Sequence, residues 1–155
     1  MLNFLIMAYR QILYHIVFRT KYSQNSIKQE FAEELYKYIW GVVKNKNCKL
    51  FQINGVENHI HILSDLHPSV ALANFVKDIK VSSSLWMKES KLFPDFNGWA
   101  SGYCAVTHSY RDKEMLIKYI KNQQEHHKKT TFRKEVEELF KEFALGENTD
   151  WFFKD

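Results

Sequence analysis

The chain has little proline, glycine or cysteine, and it has no long hydrophobic run. Proline and glycine commonly end helices and strands, and the 155 residues include only two prolines and five glycines. This predicts regular helices and strands with short connections. Cys48 and Cys104 do not form a CxxC or zinc-finger pattern, so we expect reduced, structural thiols. No apolar run approaches the roughly 20 residues of a membrane helix. The apolar opening MLNFLIMAYR lacks the basic leader and cleavage site of a signal peptide. We therefore expect a cytoplasmic protein with no membrane partner.

The composition favours one folded domain over residues 1–155. Hydrophobic residues make up 45% of the chain and aromatic residues 15%, which is enough to build a core without disulfides and argues against disorder. The net charge of +4 favours a polyanionic partner only weakly.

Hydrophobic periodicity predicts strands and helices in alternation. A Ser26–Gln29 capping box is expected to start the first helix, Asn54–Gly55 is expected to turn a hairpin, and Ser69 is expected to cap the second helix. The predicted strands cover 11–21, 48–54, 57–66 and 98–108, and the predicted helices cover 25–46, 69–90, 109–129 and 131–145.

This order, β-α-β-β-α-β followed by two helices, is that of the ferredoxin-like (RRM-like) α+β fold. The fold is an antiparallel sheet with two helices on one face. We therefore expect the other face to be free for function.

Two histidines interrupt the apolar strand NHIHIL. Because side chains alternate along a strand, His59 and His61 should share one face, and Ile60 and Ile62 should point into the core on the other. Two adjacent imidazoles pack poorly but make a good pair of metal ligands.

The late helix offers a third ligand and a nucleophile. In YIKNQ, Tyr119 and Gln123 lie four positions apart and so about one turn apart on one helical face. A glutamine carbonyl oxygen suits Mg²⁺ or Mn²⁺ beside imidazoles. The tyrosine oxygen is then placed to attack a phosphate that the metal polarises.

These motifs together resemble those of single-tyrosine HUH (histidine–hydrophobic–histidine) transposases of the insertion sequence 200/605 type. This is the IS200-like transposase family, which includes the REP-associated tyrosine transposases. The resemblance is carried in order by YHIVFRTKY, NHIHIL, IKVSSS, YIKNQQEHH and TFRKEVEELFKEF. It implies that His59, His61 and Gln123 hold Mg²⁺ or Mn²⁺, and that Tyr119, on the C-terminal helices, is the nucleophile.

The resemblance also implies substrate and assembly. Members act on single-stranded DNA, often at hairpin ends, through a 5′-phosphotyrosine intermediate. We expect a homodimer with shared active sites, although some relatives act as monomers.

Several alternatives stay open at this point. An RRM-like module could bind single-stranded nucleic acid without catalysis, and a metal-dependent nuclease would use water and form no adduct. His126 and His127 either contact phosphate or the metal's surroundings, or lie at a solvated helix end. Arg19 and Lys80 either contact the DNA backbone or, as is the default for such residues, lie on a solvated face. Asn58 either orients a histidine or is a turn residue.

Overall fold

The computed structural model describes residues 9–155, and within them four strands form one antiparallel sheet in the order β2-β3-β1-β4. This order confirms the predicted ferredoxin-like α+β fold. Most of the apolar opening, where we predicted no signal peptide, lies outside the described residues. The strands are β1 (Leu13–Arg19), β2 (Leu50–Val56), β3 (His59–Ser64) and β4 (Cys104–His108).

The main core lies between one sheet face and two helices, α1 (Ala32–Asn45) and α2 (Leu72–Ser90). Ile60 and Ile62 are fully buried in this core, as the alternation predicted. His59 and His61 alternate with these isoleucines along β3, so they must face the opposite side of the sheet. β3 is an inner strand, paired with both β1 and β2.

The first helix begins later than predicted. A 3₁₀ turn covers Gln29–Phe31 and α1 starts at Ala32. The prediction that a Ser26–Gln29 capping box starts this helix is therefore wrong. The backbone N–H groups of Ser26 and Ile27 instead donate to the carbonyl of Glu57, and Ile27 is fully buried. Burial of Ile27 therefore ties this segment to the β2–β3 turn.

The hairpin turns at Glu57 and Asn58, and not at Asn54–Gly55 as predicted. Gly55 lies inside β2 opposite Ile60. A Cβ atom built on Gly55 would lie 2.2 Å from the carbonyl oxygen of His59. Glycine is therefore needed here for close approach of two backbones.

Two other predicted boundaries differ. Ser69 does not cap α2, whose N-cap is Ala71 without a side-chain bond; the Ser69 hydroxyl is within 2.7 Å of His67 Nδ1 instead. The fourth strand is shorter than predicted because Trp99 makes only an isolated bridge to Thr20, and β4 begins at Cys104.

The predicted helix over 109–129 is interrupted. It consists of a 3₁₀ turn, α3 (Lys113–Lys121) and α4 (Gln123–His126). Asn54 Nδ2 donates to the carbonyls of Ile120 (2.9 Å) and Lys121 (3.0 Å), so β2 satisfies the groups that the break leaves open. Asn54 Oδ1 also accepts a bond from Gln124. The break therefore rests against the sheet.

The second sheet face is not free, contrary to our expectation. α3 covers one part of it and α5 (Phe132–Glu142) covers another. Each helix forms a small apolar cluster with the sheet, Leu13, Leu63, Leu116 and Ile120 under α3 and Val17, Cys104, Phe132 and Val136 under α5.

The last residues hold α5 in place. Phe152 and Phe153 pack against Phe132. Arg19, which is only 2% exposed, donates to the Phe152 carbonyl (3.0 Å) and pairs with Asp155 (3.1 Å). Arg19 is thus engaged within the protein, which argues against both alternatives, a DNA contact and a solvated face.

Two chemical expectations can be compared with the structure. Cys48 and Cys104 are both free and buried, as predicted. Within residues 9–155, no helix is both long enough and apolar enough to cross a membrane.

Candidate metal and tyrosine site

Strand β3 delivers His59 and His61 to the second sheet face, as their spacing predicted. Both side chains are fully buried, because α4 and α5 close over them. The ring of His59 stacks on Phe132 of α5 with 3.7 Å between ring centroids. The two imidazoles therefore lie in a dry environment, where polar contacts are strong and unpaired polar atoms are costly.

One carboxylate of α5 lies at the centre of the histidines. Glu135 Oε1 is 3.1 Å from His127 Nε2, 3.2 Å from His61 Nε2 and 3.4 Å from His59 Nε2. Glu135 is only 4% exposed, so these contacts are shielded from water.

The other oxygen of the same carboxylate faces the predicted nucleophile. Glu135 Oε2 accepts a hydrogen bond from the Tyr119 hydroxyl and a second, of 3.3 Å, from Gln123 Nε2. It is also 2.9 Å from His126 Nε2. Glu135 therefore joins the tyrosine of α3 to the histidines of β3.

The outer nitrogens of two rings indicate where their protons lie. His59 Nδ1 is 2.7 Å from Asn58 Oδ1, and His127 Nδ1 is 3.2 Å from the Thr130 carbonyl. Since both oxygens only accept, each Nδ1 carries a proton. The pKa of His59 is low, so this ring is neutral and turns a bare Nε2 toward Glu135, whereas His127 Nε2 contacts the oxygens of both Glu135 and Gln123. Asn58 thus contacts His59 in addition to its place in the turn.

His61 is oriented by another histidine. Its Nδ1 lies 2.9 Å from Nε2 of His15 on β1, and the two rings stack with 5.1 Å between centroids. Burial, followed by the nearby His61 and His108, holds the pKa of His15 well below its usual value. His15 is therefore neutral at ordinary pH.

The charges of the cluster follow from burial and proximity. Burial lowers the pKa of His59 to about 3. Burial alone would raise the pKa of Glu135, but the imidazoles of His127, His59 and His61 outweigh it and hold that pKa well below the ordinary value. Burial and then the Glu135 charge raise the pKa of Tyr119. The site therefore contains an ionised carboxylate, a neutral His59 and a protonated tyrosine.

The structure brings all four sequence-predicted residues into this cluster. Gln123 is fully buried, although its oxygen contacts His127 Nε2 at 3.0 Å rather than β3. His127 is largely buried against Glu135, so the alternative of a solvated helix end is wrong for this residue.

Two residues of the cluster were missed by sequence reasoning. Strand alternation in β1 already places His15 on the face of the histidine pair and is a signal for it. Glu135 gives no such signal, because it is one of several acidic residues on an amphipathic helix.

The donor atoms suit a divalent metal ion. One atom each from His59, His61, His127 and Glu135 lie within 4.8 Å of one another. His59 Nε2 is buried without a hydrogen-bond partner. Such an atom destabilises the fold unless it binds a ligand. Imidazole nitrogens and a carboxylate are common ligands of first-row divalent ions.

A hollow of about 470 Å³ exposes the outer side of Tyr119. Its walls include the cations Lys118 and Lys121. Lys80, in contrast, donates to the Ala100 and Gly102 carbonyls, which argues against the alternative of a DNA contact. Positive charge beside the tyrosine is the feature that a phosphate backbone would require.

Comparisons with known proteins agree with these observations. The family model described as "Transposase IS200 like" matches residues 8–123. The ISDra2 transposase TnpA of Deinococcus radiodurans is 26% identical over 119 residues, covering 73% of this chain and 84% of that protein. The transposase for insertion sequence element IS200 of Salmonella typhimurium is 27% identical over 122 residues, covering 74% and 78%.

Two solved structures share the fold. A candidate transposase from Deinococcus radiodurans R1 aligns with a TM-score of 0.59 and 24% identity, covering 75% of this chain and 94% of that one. A REP-associated tyrosine transposase bound to a REP hairpin aligns with a TM-score of 0.50 and 15% identity, covering 76% and 72%.

Proposed function

Since the chain belongs to the IS200-like transposase family, as its motifs predicted, we propose that this transposase cuts and rejoins single-stranded DNA through Tyr119. One observation carries the proposal. The Tyr119 hydroxyl, Gln123 and the β3 histidines all converge on one buried carboxylate. A core tyrosine would not need a ring of titratable groups around its oxygen, whereas a nucleophile does.

The proposed step exchanges one phosphodiester for another. The Tyr119 oxygen forms a bond to phosphorus while the bond from phosphorus to the 3′ oxygen breaks. The products are a 5′-phosphotyrosine and a free 3′-hydroxyl, which takes up a proton. Because the number of phosphodiester bonds is unchanged, the step needs no ATP and can reverse.

Glu135 Oε2 already accepts a hydrogen bond from the Tyr119 hydroxyl and is placed to receive its proton. The raised pKa of Tyr119 means that this proton is not released spontaneously at neutral pH. A group that accepts it, or that lowers the negative charge of Glu135, therefore makes the oxygen more nucleophilic.

A divalent ion, Mg²⁺ or Mn²⁺, is part of the proposal, with His59, His61 and Gln123 as residues that would hold it. Such an ion supplies charge neutralisation on the phosphate oxygens and Lewis-acid polarisation. The protein supplies a water-free setting, because His59, His61 and Gln123 are fully buried.

DNA would approach from the hollow beside Lys118 and Lys121. The carboxylate of Glu135 lies between Tyr119 and the imidazoles, so a phosphate reaches the histidines only after that side chain has moved. A hairpin substrate is suggested by the REP-hairpin complex of a structural relative. A homodimer also remains part of the proposal.

The test is covalent capture. With Mn²⁺ and a cleavable single-stranded hairpin oligonucleotide, the wild-type protein should form a denaturant-resistant adduct, and Tyr119→Phe should form none. The substitution removes one oxygen and keeps the ring, so folding should persist. Tyr110→Phe is the matched control, because Tyr110 is exposed and lies outside the cluster; its adduct yield should equal that of the wild type.

Other outcomes would support the alternatives. Cleavage without an adduct would indicate a hydrolytic nuclease. Binding without cleavage in any metal would indicate a nucleic-acid-binding module. The RRM-like version of that module is disfavoured, because α3 and α5 cover the sheet face on which bases would stack.

A further inference from the structure

We infer that, in the protein without DNA, His127 and Glu135 join His59 and His61 as direct ligands, forming a four-ligand site for a nitrogen-preferring transition metal ion of the Mn²⁺ to Zn²⁺ series; Glu135 is the ligand that phosphate would replace. Neither His127 nor Glu135 lies in the segment matched by the family model, which ends at residue 123. The inference deepens the proposed function and rests on it for the role of the ion, but the ligand set itself is tested by binding alone.

The spacing of the donor atoms agrees with this ligand set. Glu135 Oε1 lies 3.1, 3.2 and 3.4 Å from the Nε2 atoms of His127, His61 and His59. Four ligands around one tetrahedral ion, with bonds of about 2.0–2.1 Å, lie about 3.3–3.4 Å from each other. The three distances from the carboxylate to the imidazoles are thus close to those that a shared ion imposes, and all four donor atoms lie within 4.8 Å of one another.

The unpartnered Nε2 of His59 favours a cation at this point. His59 and His127 each donate Nδ1–H outward, to Asn58 and to the Thr130 carbonyl. In His59, the Nε2 on the other side of the ring therefore faces the Glu135 carboxylate 3.4 Å away. His59 Nε2 has no hydrogen-bond partner. An outward Nδ1–H to a carbonyl-type oxygen is the arrangement by which proteins orient metal-binding histidines.

The donor chemistry selects the class of metal. Three imidazole nitrogens and one carboxylate favour first-row transition ions, whose affinity for such sites rises from Mn²⁺ to a maximum at Cu²⁺, just before Zn²⁺. Mg²⁺ prefers oxygen ligands in an octahedron and keeps several waters. The fully buried His59 and His61 and the 4% exposed Glu135 leave little space for such waters. Mg²⁺ should therefore bind weakly.

Gln123 has a different part in this arrangement. Its oxygen contacts His127 Nε2 and its nitrogen contacts Glu135 Oε2, so it bridges two of the inferred ligands. We expect Gln123 to position His127 and Glu135 in the metal-bound protein.

The experiment measures metal binding without DNA. Chelator-treated protein is titrated separately with Zn²⁺, Mn²⁺ and Mg²⁺ by calorimetry, and unfolding is followed by circular dichroism with and without Zn²⁺. Glu135→Gln and His127→Gln should each weaken Zn²⁺ binding on the order of 100-fold and abolish the Zn²⁺-dependent rise in Tm. Glu137→Gln, an exposed carboxylate on the same helix, and His67→Gln, outside the cluster, should bind as the wild type.

Three results would overturn the inference. Wild-type affinity in both variants, with loss in Gln123→Ala, would return the site to His59, His61 and Gln123 and leave the proposed function intact. Equal affinity for Mg²⁺ and Zn²⁺ would exclude the metal class. No binding by the wild-type protein would mean a protonated histidine–carboxylate network, and adduct formation in EDTA would then decide separately whether Tyr119 acts without metal.

Discussion

His59 shows how a single buried imidazole links folding to pH. Burial lowers its pKa to about 3 in the folded protein, whereas an unfolded histidine titrates near 6.5. The unfolded state therefore binds more protons than the folded state as the pH falls below about 6.5, and stability decreases in that direction. His15, whose pKa is also lowered, acts with the same sign.

We expect the free energy of unfolding of the metal-free protein to fall between about pH 6.5 and pH 5, by up to about 1.4 kcal/mol per pH unit for each histidine. This range lies above the ordinary pKa of glutamate, so Glu135 contributes little to the change. Urea unfolding at several pH values measures it. His15→Gln and His59→Gln should flatten the dependence, and His67→Gln should not. An unchanged slope in both cluster variants would contradict the assignment of neutral buried rings.

Local sequence patterns predict only some of the residues of the site. His59 and His61 were predictable because strand alternation fixes their common face, and Tyr119 and Gln123 because a fixed spacing links them. Glu135 was not predictable, since a carboxylate on α5 becomes central only when α5 packs on the sheet. Its role depends on tertiary contact and on no local pattern.

Among the elements, the β2–β3 hairpin depends on one glycine. Gly55→Ala places a Cβ atom 2.2 Å from His59 O and 2.9 Å from Ile60 Cα, both of them backbone atoms that cannot yield by rotation. We expect a loss of stability on the order of 2 kcal/mol or more, measured by urea unfolding. Metal affinity should also fall, because the strand that must shift carries His59 and His61.

Gly41 offers the matched control for this substitution. It is exposed in the interior of α1, and nothing lies within 4 Å of its Cβ position. Gly41→Ala should stabilise the protein by about 0.5–1 kcal/mol, because alanine favours helix. Equal effects at the two glycines would show that close approach in the hairpin is not what requires Gly55.

The element predictions failed where long-range contacts replaced local signals. Asn54–Gly55 has the composition of a turn, but close approach to β3 requires glycine within the strand. Residues 109–129 contain no helix breaker, yet Asn54 of β2 accommodates an interruption after Lys121. Within residues 9–155, periodicity identified the four strands and the major helices, and their boundaries depended on partners distant in sequence.

For the whole molecule, the contacts of Tyr119 favour a site completed within one chain. Its hydroxyl reaches Glu135, and its ring centroid lies 5.9 Å from that of His61. The expectation that two subunits share each active site stays a prediction. The contacts of Tyr119 within one chain argue against it.

Mixing Tyr119→Phe protein with His59→Ala/His61→Ala protein tests the two arrangements. We expect no adduct beyond the sum of the separate variants, because a site within one chain gains nothing from its neighbour. Subunit exchange is established in parallel with differently tagged wild-type chains. Restored adduct formation would show that the tyrosine serves the histidines of another subunit.

The sheet topology followed from the order of predicted elements, since β-α-β-β-α-β has few compact arrangements. Coverage of the second face did not follow. The sequence of an amphipathic helix shows that one side of the helix is buried, but it does not show which surface of the protein that side packs against. Phe132 and Val136 pack on Val17 and Cys104, and this contact encloses the histidines.

That enclosure also sets a timescale. An ion held by these four side chains, which are 0–11% exposed, would leave only when α5 detaches from the sheet, so local opening rather than diffusion would limit its release. A chelator added briefly would then measure how often the protein opens, and a preparation could keep its original ion through purification. Undiminished activity after a short chelation would reflect slow exchange as readily as independence from metal.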